Sequence, residues 1–246
     1  MAHQTVQFYP PGERTDAAGN PLRNRILLGI PENEFRAIQP HLQNAELRSH
    51  EILHEPHQLL EFAHFPNEGL LSLVVVLADG KTVEAGIVGR EGATGIPALA
   101  GLDRSPLREV VQIAGEGLRV PVATLRELLG SAPELRRRLE RFTLILGLHV
   151  AETTACNRLH EVEQRLARWL PMAQDRVTSA SLPITHDFLA TMLGTDRPSV
   201  SLAAGILQKK KVIEYNRGSV KILNRAELER ASCECYGVIR KYDGSE

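Results

Sequence analysis

Between Leu182 and Leu223 the apolar positions follow first one period and then another. Phe188, Leu189, Met192 and Leu193 recur at helical spacing, and so do Val200, Ala203, Ala204 and Leu207. Gly194 lies where a left-handed residue ends the first helix, and Asp196 lies where a side-chain oxygen caps the next. Thr185 is placed to cap the first helix. Pro198 falls in the first turn of the second, where a missing N–H costs little. Val212–Tyr215 and Val220–Leu223 are short β-prone runs joined by Asn216-Arg217-Gly218-Ser219, a glycine-containing hairpin loop. The pattern predicts helix, tight turn, helix and a two-stranded wing.

Upstream the pattern changes. Asn24 to Leu42 reads as short helices with Leu27, Leu28, Ile30, Phe35 and Ile38 facing inward. From Ala45 to Pro121 the runs are short and β-prone: Leu70–Leu77, Thr82–Val88, Leu107–Ile113 and Gly117–Val120, with an Asp79-Gly80 turn and Gly115 between the last two. Such a series predicts a β-barrel or roll. Pro121–Leu129 reads as a short helix. Ser131 and Glu134 have capping-box spacing and open a long helix to about Asn157. Its seam runs Leu135, Leu139, Phe142, Leu146, His149, Thr153 and Cys156, stepping alternately by four and three. That is coiled-coil spacing and predicts pairing with a twin in a homodimer; the alternative is burial against the chain's own roll. A further helix spans Glu161–Ala173. The fold class is therefore α+β: an N-terminal β-roll (jelly-roll-like), a long dimerisation helix and a C-terminal winged helix-turn-helix. The boundaries are a flexible arm at 1–24, a sensor roll at 25–130, a dimerisation helix at 131–160 and the winged-helix domain with its tail at 161–246.

Charge sharpens this reading. The 246-residue chain has a formal net charge of −1. Locally, however, Arg197, Lys209, Lys210, Lys211, Arg217, Lys221 and Arg225 outnumber Asp187, Asp196 and Glu214. A phosphate-binding module needs such a surplus. Arg197 opens the second helix, the end that enters a major groove in this motif, and a guanidinium bonds two acceptors on guanine. No apolar run of membrane-spanning length and no signal-peptide pattern occur, so a cytoplasmic protein without a membrane partner is expected. Three cysteines, Cys156, Cys233 and Cys235, make no disulfide framework and exclude a four-cysteine iron–sulfur centre. Cys233-x-Cys235 is either a thiol sensor, half a metal site or a structural pair, the last being the expectation. His41, His50, His54, His57 and His64 gather on a β-rich segment whose spacing does not bring rings together, and solvated histidines are expected there. No catalytic residue, metal or cofactor is expected.

The order roll, long helix, winged helix resembles the Crp/Fnr family of bacterial transcription regulators, over about residues 25–240. The series Phe65-Pro66, Gly69, Asp79-Gly80 and Val88-Gly89-Arg90-Glu91-Gly92 is similar to the sensor half of a subgroup. The resemblance implies a non-enzymatic homodimer that reads a two-fold-related site on double-stranded DNA, with RNA polymerase as a further partner. It assigns DNA contacts to Thr185, Arg197 and Ser199, and Ser201 is a candidate beside them. Lys209, Lys210, Lys211, Arg217 and Ser219 complete the expected interface. Pro198 and Leu202 stand where relatives carry base-reading glutamate and arginine. The effector pocket is expected around Gly92, Gly95, Arg104, Ser105, Val150 and Thr153. Ala93 replaces the glutamate that cyclic-nucleotide binders need, and Val150-Ala151 replaces a threonine–serine pair, so cyclic AMP is not expected as effector, and another small molecule is an open alternative. The alternatives are a cyclic-nucleotide-responsive regulator, a β-roll metal enzyme and an interaction module without DNA.

Overall fold

The structure is a computed structural model that describes residues 14–16, 18–177 and 179–243. Asn24 starts α1 (Arg25–Leu28), its side chain accepting from the Ile26 and Leu27 N–H groups. Next comes α2 (Glu32–Ile38). The strands are β1 (Gln43–Leu47), β2 (Ile52–His54), β3 (Phe62–Pro66), β4 (Leu70–Val76), β5 (Thr82–Val88), β6 (Leu107–Ile113) and β7 (Gly115–Pro121). They pair antiparallel in two sheets, β1-β7-β3 and β2-β6-β4-β5. Phe65, Leu71, Val88, Val111 and Leu118 are buried in the core of this roll. Gly115 belongs to β7 rather than separating two strands. Helix α3 (Val122–Leu128) follows. The expected loose arm is not loose at residues 14–16 and 18–24. Leu22 and Asn24 are fully buried, and the Arg14 guanidinium donates to Leu27 O at 2.7 Å. Residues 1–13 of that arm lie outside the described residues.

Helix α4 (Pro133–Leu159) is long, as its sequence predicts, but its start and its seam differ from expectation. The Ser131–Glu134 box does not form; Ser131 Oγ donates to Leu128 O. Glu34, on α2, instead accepts from the Glu134 and Leu135 N–H groups at 3.1 and 2.8 Å. A carboxylate satisfies free N–H groups at a helix start whichever part of the chain supplies it. The predicted dimer seam is turned inward. Leu135, Leu139 and Phe142 are buried in the roll core and Leu146 packs against it. Farther along, His149 and Cys156 are buried and Thr153 half-buried against C-terminal elements. The same period thus marks the face covered by the chain itself.

Helix α5 (Val162–Arg176) opens with a capping box between Glu161 and Gln164. Strand β8 (Ser181–Leu182) leads into α6 (His186–Leu193) and α7 (Arg197–Lys209). The wing is β9 (Ile213–Asn216) and β10 (Ser219–Ile222), in sheet order β8-β10-β9. Helices α8 (Arg225–Ala231) and α9 (Glu234–Asp243) end the described chain. The architecture is the expected α+β one. The winged domain is not a separate bead: Leu70, Val74, Ile87 and Ile113 of the roll share one buried cluster with Trp169, Leu170, Leu189 and Leu193. Helix α9 runs back along α4. Asp243 Oδ1 lies 2.8 Å from His149 Nε2, and Cys233 Sγ lies 3.4 Å from Cys156 Sγ.

Candidate nucleic-acid interface and effector cavity

The two crossing helices are set by local chemistry. Thr185 Oγ1 accepts from the Phe188 N–H and Asp196 Oδ1 from the Ser199 N–H, so both predicted caps form. Gly194 turns the chain with φ of 57°, a region a side chain disfavours. Val200, Ala203, Ala204 and Leu207 bury one face of α7. The opposite face exposes Arg197, Pro198, Ser201, Leu202, Gln208 and Lys209. Leu202 is 69% exposed in the middle of it, an apolar side chain with no packing duty. His186 ties three elements together. Its Nδ1 lies 2.9 Å from Ser201 Oγ and its ring stacks on Tyr215 of the wing at 3.9 Å. Burial, then the Arg197 charge, pushes the His186 pKa down. Gln208 fixes the wing from the other side, accepting from the Tyr215 N–H.

The cations divide into free and engaged. Lys209, Lys211 and Arg217 are exposed. Arg197 is 64% exposed and faces Asp187 at 3.4 Å, a contact that solvent screens. Lys210 instead meets Glu163 of α5 at 2.7 Å. Arg225 is structural: it pairs with Asp175 and Glu229 and also meets the Tyr236 hydroxyl. Ser219 spends its hydroxyl on Ser181 and the Leu182 carbonyl. Thr185 and Ser199 have cap roles, Thr185 remaining exposed. His186, Tyr215 and Gln208 were missed by sequence reasoning; the aromatic residue at the wing opposite a histidine was the available signal.

A cavity of about 790 Å³ opens between the roll and α4. Its apolar wall includes Leu73, Ala93, Ile96, Leu99, Leu107 and Leu146. Buried Glu109 accepts from the Gly95 N–H at 3.2 Å, and burial pushes its carboxyl pKa up. Arg126, Arg136 and Glu140 supply the charged lining.

The family model of the Crp-like helix-turn-helix domain matches residues 164–231. FixK2 from Bradyrhizobium japonicum superposes with a TM-score of 0.67 at 16% identity, covering 78% of this chain and 98% of that one. The chain carries a Crp-like helix-turn-helix domain and shares its fold with regulators of the Crp/Fnr type. CLP from Xanthomonas campestris, described as a c-di-GMP-responsive global regulator, gives a TM-score of 0.65 at 14% identity, covering 78% and 99%. A Crp-family transcriptional regulator from Thermus thermophilus, TTHB099, gives 0.61 at 24% identity, covering 76% and 96%. No curated protein sequence matches.

In this roll only part of the expected effector set meets the cavity. Gly95 and Ser105 line it. Gly92 does not: a side chain there would collide with the Phe142 ring, so the glycine admits α4 to the roll. Arg104 points elsewhere, its guanidinium donating to His57 O at 2.5 Å, because its loop folds back on residues 57–59. Val150 and Thr153 lie farther along α4, where Val150 approaches Gly86 and Thr153 accepts from Arg168. The histidines from His41 to His64 form no metal-binding group among the described residues. His41, His50 and His57 are exposed, but His54 and His64 are buried rather than solvated. Burial lowers the His64 pKa to about 4.

Proposed function

We propose that this chain is a sequence-specific transcription regulator that binds double-stranded DNA as a homodimer. The observation that carries the reading is the exposed face of α7. Among the described residues it leaves Arg197, Ser201, Leu202 and Gln208 exposed, while the other face is buried. In a major groove, Arg197 reads guanine and Leu202 meets a thymine methyl. Lys209, Lys211 and Arg217 flank that face and hold phosphates. Pairing uses the outer face of α4, where Leu144, Leu148, Ala151, Ala155 and Leu159 are exposed at near-heptad spacing. Leu144 also lines the cavity, so a second chain docked there covers the cavity mouth.

The effector is a largely apolar molecule with an anionic end rather than a cyclic nucleotide. The apolar wall and the Arg136 charge support this, Arg126 being already paired with Asp103, as does Arg104 facing away. RNA polymerase is the expected partner of the DNA-bound dimer. The test is titration of the full chain on duplex DNA over a range of salt. Affinity should fall steeply and linearly in the logarithm of salt. An absence of duplex binding at low salt would remove the proposal.

A further inference from the structure

We propose that Cys156, His160, Cys233 and Cys235 form a mononuclear zinc site that clamps the end of the long helix to the C-terminal helix. Cys156 and His160 lie at the end of α4, one helical turn apart. Cys233 and Cys235 come from the turn into α9, more than seventy residues later in the chain. One ligand atom from each of the four residues falls within 4.8 Å of every other. The cysteines are 0%, 4% and 3% exposed and form a small buried cluster of their own.

The spacing selects the kind of centre. A tetrahedral zinc with bonds of about 2.3 Å to sulfur sets its sulfurs about 3.8 Å apart. Here Cys156 Sγ and Cys233 Sγ are 3.4 Å apart, and Cys235 Sγ lies 3.8 Å from His160 Nδ1. An iron–sulfur cluster spreads its thiolates around a body of several atoms, wider than these four ligands stand. Three soft thiolates and an imidazole suit zinc, and carboxylate-seeking ions do not select such a set.

The surroundings complete the site. With Nδ1 turned to the thiols, the other ring nitrogen of His160 faces Glu234 Oε2 at 3.4 Å. A carboxylate behind the ring is what fixes a metal-binding histidine's tautomer and orientation. Binding Zn²⁺ releases three thiol protons to solvent and leaves one net negative charge on the centre. Buried Arg168, on α5, lies beside Cys156 and supplies a compensating positive charge. The clamp sits where α4 passes into α5, so it joins the long helix, the helix-turn-helix domain and α9 at one point.

The experiment uses full-length protein purified under reductant, dialysed, and analysed for bound metal. Roughly one zinc per chain is expected, and cobalt(II) in its place should give the visible absorption of a tetrahedral thiolate site. Cys235→Ser and His160→Ala should each lower zinc affinity by tenfold or more, on the order of or beyond a lost supporting contact. His160→Cys should retain the metal and the cobalt spectrum. Far-UV circular dichroism identifies any variant that fails to fold, and the His160→Cys comparison then carries the test. Full-length reduced protein that takes up no zinc when Zn²⁺ is supplied overturns the proposal. So does zinc retained unchanged in Cys235→Ser, or a native Cys156–Cys233 disulfide.

Discussion

Arg197 and Lys211 stand at opposite ends of α7, and their proposed roles on DNA differ. Arg197 opens α7 with its guanidinium in solvent, beside an aspartate too exposed to hold it. Its truncation to alanine should cost about 1–3 kcal/mol on the preferred site and flatten base preference there. Lys211→Ala should weaken all duplexes alike and reduce the salt slope by about one. Titrations of both variants on preferred and scrambled duplexes separate these roles, and identical behaviour would contradict them. Lys210 is a weaker candidate for phosphate than its sequence position implies, because Glu163 already holds it. A charge count sees the cation and not its carboxylate forty-seven residues earlier. Glu84 offers a second test. It is enclosed by Ser72 Oγ at 2.5 Å and Trp169 Nε1 at 2.8 Å. Burial raises its pKa from 4.5 to about 7, against those hydrogen bonds and the charges of Arg168 and Arg176. The folded chain therefore keeps the Glu84 proton after an unfolded carboxyl has lost it. That contribution to stability is whole in acid, declines above the unfolded value and is gone once pH passes the folded one. Glu84→Gln should remove a decline on the order of 3 kcal/mol. Urea unfolding at about pH 5 and about pH 8 measures it. A wild-type decline equal to that of Glu84→Gln would contradict the assignment.

At the scale of elements, α4 shows what a sequence period can and cannot reveal. The alternation through Leu135, Leu139 and Phe142 correctly marks a covered face. It does not say what covers it, because a roll and a twin helix both bury an apolar stripe. The exposed stripe through Leu144, Leu148, Ala151 and Ala155 is less apolar and was not visible beside the stronger one. Two variants distinguish the faces. Leu139→Ala, at a position 1% exposed, should destabilise the fold by about 2–5 kcal/mol. Leu148→Glu should leave the fold intact and dissociate the dimer in sedimentation. A Leu148→Glu protein that remained dimeric would move the pairing face elsewhere. The helix-turn-helix was legible because its signals are local: Thr185, Gly194 and Asp196 act on neighbours within a few residues. The cap of α4 was not, because Glu34 reaches it from about a hundred residues away. The thiols of Cys156 and Cys233 meet for the same unreadable reason, through tertiary folding across 77 residues.

The whole molecule couples its two ends through one core. Trp169, 1% exposed, donates to Glu84 of the roll while its neighbours pack on α6 and α7. Arg176 bridges Glu91 of the roll and Asp243 of α9 at 2.8 and 2.9 Å. A molecule bound in the proposed effector cavity would therefore act on a structure continuous with the helix-turn-helix domain. The chain should unfold in a single transition, with the fluorescence of Trp169, the sole tryptophan, tracking far-UV circular dichroism. Separate midpoints would mean that the domains are energetically independent. Paired chains would read DNA through α7, and selection of bound duplexes from a random-sequence pool tests this most directly. The enriched motif should be two-fold symmetric, with half-site centres about one DNA turn apart or a multiple of it, and Arg197→Ala should erase its strongest guanine. An enriched motif without two-fold symmetry, or no enrichment over unselected DNA, would contradict it.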